Sequence, residues 1–436
     1  MATIRVRSTD GSDADNGTTW ALAKATLTGA AAIDAPGDTI VVSSVHAEST
    51  AAVLSLAWGG NAAAPTRVLS VDDSADPPTA LLPGASVTTT GASSLVILEG
   101  NGNNAYIHGL TFNCGTGASA ASIIVRGLCV LEECNLFLVN TGSGSHIENS
   151  PDGTLTAKGC GFKFGAVTQG FYVYQSGVPY RILGGQIVSG GANIANLVVG
   201  INQGGSIVFD GFDLSALSSA LNIVSATQNN ARVSLHSCIL PASWTGSLNP
   251  SAPGLGSLFE MFSCWSGATE IIWRRKATFG EGRDETTLVR TGGGKHRGVG
   301  VSLKCATTAD AEYPLHTFET LQFAAQVTAA QVGSPVTATV EILHDSATAM
   351  TDADIWLTVV GPGSEVNSDQ VADVFATPAN QAASSATWTT TGMANPNKQK
   401  LTVTWTPAKA GVVLGTVSIA AASKTVYVDN MMTVAP

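Results

Sequence analysis

The stretch Gly109-Leu110-Thr111-Phe112 begins a four-residue pattern that recurs along the middle of the chain. Each copy has a turn-forming or polar residue, a small apolar residue, any residue and a large apolar residue. Five further copies are Glu133-Cys134-Asn135-Leu136, Gly159-Cys160-Gly161-Phe162, Gly184-Gly185-Gln186-Ile187, Gly211-Phe212-Asp213-Leu214 and Ser237-Cys238-Ile239-Leu240. The large apolar residues lie 24 to 27 residues apart. We expect a seventh copy to end at Phe279, after an insertion rich in Gly, Pro and Ser at 242–256.

This period predicts three short strands and three turns per repeat, stacked as the coils of a parallel β-helix. Equivalent residues of neighbouring coils would lie about 4.8 Å apart. Cys134, Cys160 and Cys238 share one repeat position, so we interpret them as small core residues rather than metal ligands. The leucine-rich repeat has a similar period, but its L-x-x-L-x-L-x-x-N signature is missing.

The N-terminal segment predicts a helical cap, which a β-helix needs over its first coil. Thr18 is the expected N-cap, followed by an apolar helical face that includes Trp20, Ala23 and Leu27. Pro36-Gly37 would end this segment before a strand at 38–42.

Residues 8–17, 20–27 and 36–40 together resemble the opening of right-handed parallel β-helix proteins of the pectate-lyase-like superfamily, in the form common in phage virion proteins. The resemblance implies the fold. The resemblance says little about activity, because Val45-His46-Ala47-Glu48 replaces the usual Gly-x-Tyr after the first strand.

The C-terminal third shows alternating apolar residues that predict an antiparallel β-sandwich. Its ending at 424–430 resembles the last strand of jelly-roll modules of the carbohydrate-binding type. Together with 350–357, 384–388 and 398–401, that ending also resembles the C-terminal domain of many phage virion structural proteins. The two resemblances imply a tailed-phage particle.

The predicted fold class is therefore all-β: a right-handed parallel β-helix with an N-terminal helical cap, followed by an antiparallel β-sandwich (jelly roll). We predict the cap and first strand at 1–45, the β-helix at 46–285 and the sandwich at 286–436. We expect no signal peptide, because the residues after Met1 alternate as in a strand. The seven cysteines have no zinc or C-x-x-C spacing. We expect free thiols and synthesis in the host cytoplasm before incorporation into the virion.

Composition excludes several classes of protein. Charged residues make up 12% of the chain, against roughly 25% in an average soluble protein. The 44% hydrophobic content excludes a disordered chain, and scarce Glu, Lys and Arg argue against a helical bundle. The net charge of −11, with no basic run longer than Arg274-Arg275-Lys276, argues against a nucleic-acid partner. No apolar run approaches the ~18 residues of a membrane span.

Few residues suggest chemistry. A polysaccharide hydrolase needs two carboxyl groups about 5 to 9.5 Å apart. Glu132 and Glu133 are adjacent, so on a strand they would face opposite sides, and Asp210 and Asp213 would also be opposed unless a turn intervenes. A further set of carboxylates is interpreted as turn residues: Asp10, Asp13, Asp15, Glu148 and Asp152.

Other side chains are interpreted as structural. The histidines are dispersed, and His236 lies on a repeat strand. We expect most tryptophans to be core residues rather than sugar-stacking ones: Trp244, Trp265, Trp273, Trp356, Trp388 and Trp405. No G-x-S-x-G, P-loop or dinucleotide motif is present. We therefore predict no catalytic residue, no cofactor and no metal, and that the protein is not an enzyme.

Three functions fit the resemblances. The first, which the scarcity of acidic residues favours, is a capsid decoration (cement) protein that binds the major capsid protein and stabilises the shell, as a homotrimer at local three-fold sites. The second is a trimeric tailspike or receptor-binding protein that binds or degrades host surface polysaccharide. The third is a non-catalytic carbohydrate-binding module, with the sandwich as the sugar-binding part.

Overall fold

A computed structural model describes most of the chain. The described residues are 2–98, 103–149, 153–174, 180–202, 204–225, 230–248, 257–277, 285–291, 302–306, 321–345, 348, 350–351, 354–360, 379–380, 393–419, 425–428 and 433–436. They form two compact units, Met1–Ala268 and Thr269–Pro436. The three domain bounds expected from the sequence stay predictions.

The first unit is a parallel β-solenoid of about eight turns built from three sheets. Sheet A contains β1 (Thr3–Val6), β2 (Thr39–Ser43), β5 (Thr66–Val71), β8 (Asn104–His108), β11 (Leu128–Glu132), β14 (Thr154–Lys158), β17 (Tyr180–Leu183), β20 (Ser206–Asp210), β22 (Arg232–His236) and β24 (Leu258–Ser266). Sheet B contains β4 (Leu54–Ser55), β7 (Leu95–Leu98), β10 (Ile123–Val125), β13 (His146–Asn149), β16 (Gly170–Val173), β19 (Asn196–Ile201) and β21 (Asn222–Val224). Sheet C contains β3 (Ala47–Thr50), β6 (Ser86–Thr89), β9 (Thr111–Cys114), β12 (Asn135–Leu138), β15 (Gly161–Lys163) and β18 (Gln186–Ile187), and bridges at Asp213 continue it to β23 (Ile239–Leu240). The all-β class and the parallel β-helix are confirmed.

The four-residue pattern marks the turn from sheet A to sheet C. Its first residue has a left-handed backbone in every copy, with φ between +48° and +75°: Gly109, Glu133, Gly159, Gly184, Gly211, Ser237 and Ser263. Glycine is favoured there because it has no Cβ to clash in this conformation. The seventh copy is thus Ser263-Cys264-Trp265-Ser266, whereas the predicted end at Phe279 lies outside the described residues.

The second residue of the pattern points into the solenoid. Cys134, Cys160, Cys238 and Cys264 are buried free thiols at this position, which confirms that they are core residues. Burial raises the pKa of Cys134 to about 12 and that of Cys160 to about 11. Both thiols are therefore protonated at neutral pH and act as small apolar groups.

The N-terminal cap is shorter than the predicted helix. It has a 3₁₀ turn at Trp20–Leu22 and a helix α1 at Leu27–Ala31. Its N-cap is Thr26 rather than Thr18, because the Thr26 hydroxyl accepts a hydrogen bond from Gly29 N (2.9 Å). The Asp13 carboxylate binds the backbone N–H groups of Ala25 and Thr26, both at 3.0 Å, and so fixes where the helix begins. The described helices are too short to span a bilayer.

The second unit contains two antiparallel sheets. One has β25 (Thr269–Ala277), β26 (Glu285–Thr291), β27 (Ser302–Ala306), β29 (Val336–Asp345), β31 (Ala379–Asn380), β32 (Pro396–Trp405), β34 (Thr425–Val428) and β35 (Thr433–Ala435); the other has β28 (Leu321–Val327), β30 (Ile355–Val360) and β33 (Gly411–Ile419). A 3₁₀ turn lies at Ala329–Gln331. Buried residues of both sheets form one hydrophobic cluster, as in a sandwich. The jelly-roll connection stays a prediction.

Candidate functional site

A polar and aromatic cluster lies on the outer face of sheet B. His146 and Glu148 are on β13, where the residues between and after them, Ile147 and Asn149, point inward. In the next coil Tyr172 is paired directly with Glu148. The stacking of coils thus brings together residues that lie far apart in sequence, which is the property of a solenoid that builds an extended surface.

Three rings form the centre of this cluster. The rings of His146 and Tyr172 are stacked, with centroids 5.4 Å apart, and the rings of Tyr172 and Tyr174 are 4.9 Å apart at a tilt of 48°. The Tyr172 hydroxyl donates to Asn202 Oδ1 (3.0 Å). The backbone N–H of Tyr174 donates to Asn149 Oδ1 (2.9 Å), which anchors the second tyrosine.

Gly200 makes room for the central ring. A Cβ at this position would lie 2.5 Å from Cε2 of Tyr172. The Tyr172 ring therefore lies between the His146 ring of the preceding coil and the Gly200 backbone of the next coil, which fixes its orientation. Tyr174, which is partly exposed, is left to present an aromatic face outward.

Glu148 has the most unusual ionisation in the cluster. Burial raises its pKa to about 7, and the opposing effect of Arg126 is smaller. Burial also lowers the pKa of His146, and burial together with the charge of Glu148 raises the pKa of Tyr174. With its pKa near neutrality, Glu148 keeps part of its acid form at pH 7, as required of a carboxylic acid that donates a proton.

The interpretation of Glu148 as a turn residue is wrong. It lies within β13, between the buried turn residue Ser145 and the buried strand residue Asn149. Asp152 lies outside the described residues. Sequence reasoning missed the cluster although one signal was present: Tyr172 follows Glu148 by 24 residues, which is one repeat.

A second group of polar residues lies on sheet A. The expectation that Glu132 and Glu133 face opposite sides is wrong, because the left-handed backbone of Glu133 (φ +52°) interrupts the alternation of the strand. Tyr106 donates its hydroxyl hydrogen to Glu132 Oε2 (2.9 Å), while His108 Nε2 lies 3.4 Å from Glu133 Oε2. Both carboxylates are thus on the outer side of the solenoid.

The remaining candidates are dispersed. A turn at Gly211 does intervene between Asp210, at the exposed end of β20, and Asp213, which accepts from Ser215 N (2.8 Å). Asp10 pairs with Arg7, and His236 packs edge-on against Phe262, a structural role. Within the described part of the chain, no three His, Cys, Asp or Glu side chains converge on a metal site.

The tryptophans differ in their positions. Trp244 is half-buried and donates to Leu221 O (2.6 Å), whereas Trp265, at the end of β24 where it pairs with Ile239 of sheet C, is 44% exposed and is an exception to the expected core role. Trp405 packs against the core of the second unit. Trp388 lies outside the described residues, as do the side chains of Trp273 and Trp356.

Solved structures similar to this chain include one from a bacteriophage. It is described as a crystal structure of the enzymatically active domain of bacteriophage CBA120 tailspike protein 4, with 11% sequence identity and a TM-score of 0.26. The match covers 94% of this chain and 65% of that chain, so this chain spans about two thirds of its length. No family model and no curated protein matches the sequence.

This comparison corrects one prediction. We expected that the protein is not an enzyme, whereas the similar chain is described as an enzymatically active domain. The expectation is therefore withdrawn.

Proposed function

We propose that this chain is a phage virion protein of the tailspike type, whose solenoid binds and cleaves a host surface polysaccharide at sheet B. One observation carries the proposal: Glu148, with its pKa raised to about 7, lies beside the rings of Tyr172 and Tyr174. A half-buried carboxyl with a shifted pKa next to partly exposed aromatic rings is typical of a site that acts on sugars.

The rings would hold the glycan. Sugar rings have apolar C–H faces that stack on aromatic side chains, and Tyr174 presents such a face. The fixed orientation of Tyr172, between His146 and Gly200, reduces the entropy lost on binding. A bound chain lying across sheet B would reach Glu148, since Glu148 and Tyr172 are directly paired neighbours.

Glu148 would then act as a general acid. In its protonated form it donates its proton to the glycosidic oxygen, and the bond from that oxygen to the anomeric carbon breaks. Water adds to the anomeric carbon and gives up its proton to bulk water, which reprotonates Glu148, so this step uses one protein carboxyl instead of the pair usual in glycoside hydrolases. The products are a new reducing end and a free hydroxyl group.

The test is incubation of the protein with a panel of O-polysaccharides and capsular polysaccharides, followed by assay of new reducing ends. Glu148→Gln should lose cleavage by about 100-fold or more while still binding. Tyr174→Ala should weaken binding. Asp213→Asn, which changes an outward carboxylate on sheet C, is the matched control and should cleave normally. Full activity of Glu148→Gln would refute the proposal.

The capsid decoration function, with the major capsid protein as partner, stays a prediction, because no feature of the described residues favours it over glycan binding. The homotrimer, the virion localisation and a glycan-binding sandwich are also predictions. An image of the purified particle tests the location: we expect the protein in the tail, and copies spread over the shell would restore the decoration function.

A further inference from the structure

A second set of functional side chains lies outside the Glu148 cluster, on the outer face of sheet A. His108, Glu132 and Lys158 are directly paired on three successive strands, β8, β11 and β14. Tyr106 lies two residues before His108, and Glu133 follows Glu132 in the turn. We call these five residues the sheet A cluster.

The cluster contains a polar atom that has no partner. The His108 side chain is only 9% exposed, and its Nδ1 makes no hydrogen bond in the described structure. The other ring nitrogen, Nε2, lies 3.4 Å from Glu133 Oε2. Because Nδ1 is covered by protein, a ligand would contact the cluster through the exposed Glu133 carboxylate beside Nε2 rather than through Nδ1.

The cluster also has acceptors that are open to solvent. Glu133 is 62% exposed, so its carboxylate is accessible beyond its contact with His108. The Tyr106 hydroxyl occupies one oxygen of Glu132, which leaves the second oxygen as an acceptor. Lys158 adds an exposed ammonium donor in the next coil.

We propose that the sheet A cluster is a second carbohydrate-binding site, which takes a neutral, hydroxyl-rich sugar of the polysaccharide. The proposal rests on the proposed function for the class of its ligand but uses different residues. Carboxylate oxygens form charge-assisted hydrogen bonds with sugar hydroxyl groups, and the ammonium group donates to sugar oxygens. Two carboxylates would repel an anionic sugar, and Lys158 offsets part of the attraction for a cationic one.

The sharpest variant is Glu133→Gly. It removes the carboxylate and places glycine where the backbone is left-handed, so the turn is relieved of strain rather than disrupted. The matched control is Ser237→Gly, which makes the same backbone change at the equivalent turn of another coil and removes no carboxylate.

Binding is measured by calorimetry in a Glu148→Gln background, which prevents cleavage. The probes are neutral O-polysaccharides, polygalacturonate as an anionic polymer and chitosan as a cationic one. We expect Glu133→Gly to weaken binding of a neutral O-polysaccharide by about tenfold. Ser237→Gly should bind it unchanged, and salt should have little effect on the wild-type affinity.

Each outcome separates this site from the Glu148 site. Weaker binding in both Glu133→Gly and Tyr174→Ala supports both sites, and weaker binding in Glu133→Gly alone supports the sheet A cluster and refutes the site on sheet B. Normal binding in Glu133→Gly, with loss in Tyr174→Ala, overturns the sheet A proposal and leaves the proposed function intact. Binding of chitosan only, abolished by salt, also overturns it.

Discussion

Two polar regions of the solenoid lie close in sequence but differ in whether their polar side chains have hydrogen-bond partners. At the turn between sheets C and B, the fully buried Asn140 donates to Cys114 O (3.1 Å) and Ala121 O (3.0 Å), and its Oδ1 accepts from Ser145 Oγ (2.7 Å) and Gln169 Nε2 (3.1 Å). On the outer face of sheet B, burial instead raises the pKa of Glu148, and Nδ1 of His146 has no partner in the described structure.

The difference separates a structural from a functional use of polar residues. The Asn140 network joins three successive coils, and each of its buried groups is paired, so it fixes the stacking of the coils. The cluster around Glu148 keeps an acid at a cost in stability, which is typical of residues retained for chemistry. The predictions below test this contrast.

Asn140→Ala should cause the largest loss of stability. It removes the side-chain donor of the Ala121 carbonyl and one partner each of the Cys114 carbonyl, Ser145 and Gln169, all inside the solenoid. We expect a loss of about 2 to 4 kcal/mol in the free energy of unfolding, measured by denaturant titration. Ser143→Ala, at an exposed position of the same turn, is the control and should change it by less than about 0.5 kcal/mol. A loss as small as the control's would mean that the network does not fix the coils.

Glu148→Gln should have the opposite sign, and its effect should depend on pH. The folded-state pKa of about 7 lies above the ordinary value of 4.5, so the folded chain binds the proton more tightly than the unfolded chain. Wild-type stability therefore falls as pH rises from about 4.5 to about 7, by about 1 to 2 kcal/mol after allowance for solvent screening, and then levels off.

Glutamine cannot ionise, so Glu148→Gln should be more stable than the wild type by this amount at pH 8 and nearly equal to it at pH 4. Denaturant titrations at the two pH values measure the difference. An equal gain in the free energy of unfolding at pH 4 and pH 8 would mean that the fold does not raise the pKa of the Glu148 carboxyl.

Tyr180→Phe sharpens the contrast in the core. Tyr180 is fully buried among Phe171 and other apolar residues, and its hydroxyl has no partner in the described structure. Removing an unpaired buried hydroxyl should stabilise the protein by about 1 kcal/mol, measured by thermal or denaturant unfolding. A loss of stability instead would show that the hydroxyl is hydrogen-bonded in solution.

The sequence predicts these regions to different degrees. The repeat places Cys134 and Leu136 inside the solenoid correctly, because spacing and hydrophobicity alone decide which residues the core buries. The prediction fails for Glu133, because its left-handed backbone breaks the alternation of the strand. Glutamate rarely adopts this conformation, so the sequence does not indicate it.

The candidate site could be predicted only in part. Its residues follow the repeat, so their spacing in the sequence suffices to predict that they share one face. Tyr172, for example, lies one coil after Glu148. The raised pKa of Glu148 could not be predicted from the sequence, because it depends on burial by neighbouring coils rather than on any local motif. The cap was misplaced because Asp13, which is distant in sequence, determines where α1 begins.

The left-handed turns allow the smallest prediction. Ser263→Gly places glycine at φ +48°, where a Cβ is strained, while it also increases the freedom of the unfolded chain. We expect a net gain of about 0.5 kcal/mol, measured by denaturant titration. The reciprocal change, Gly159→Ala at φ +61°, isolates the backbone cost, because a Cβ there would have no atom within 4 Å. It should lose about 1 kcal/mol. If Gly159→Ala instead left stability unchanged, the preference for glycine in the repeat would not come from the backbone conformation, and the strain attributed to Glu133 would lose its basis.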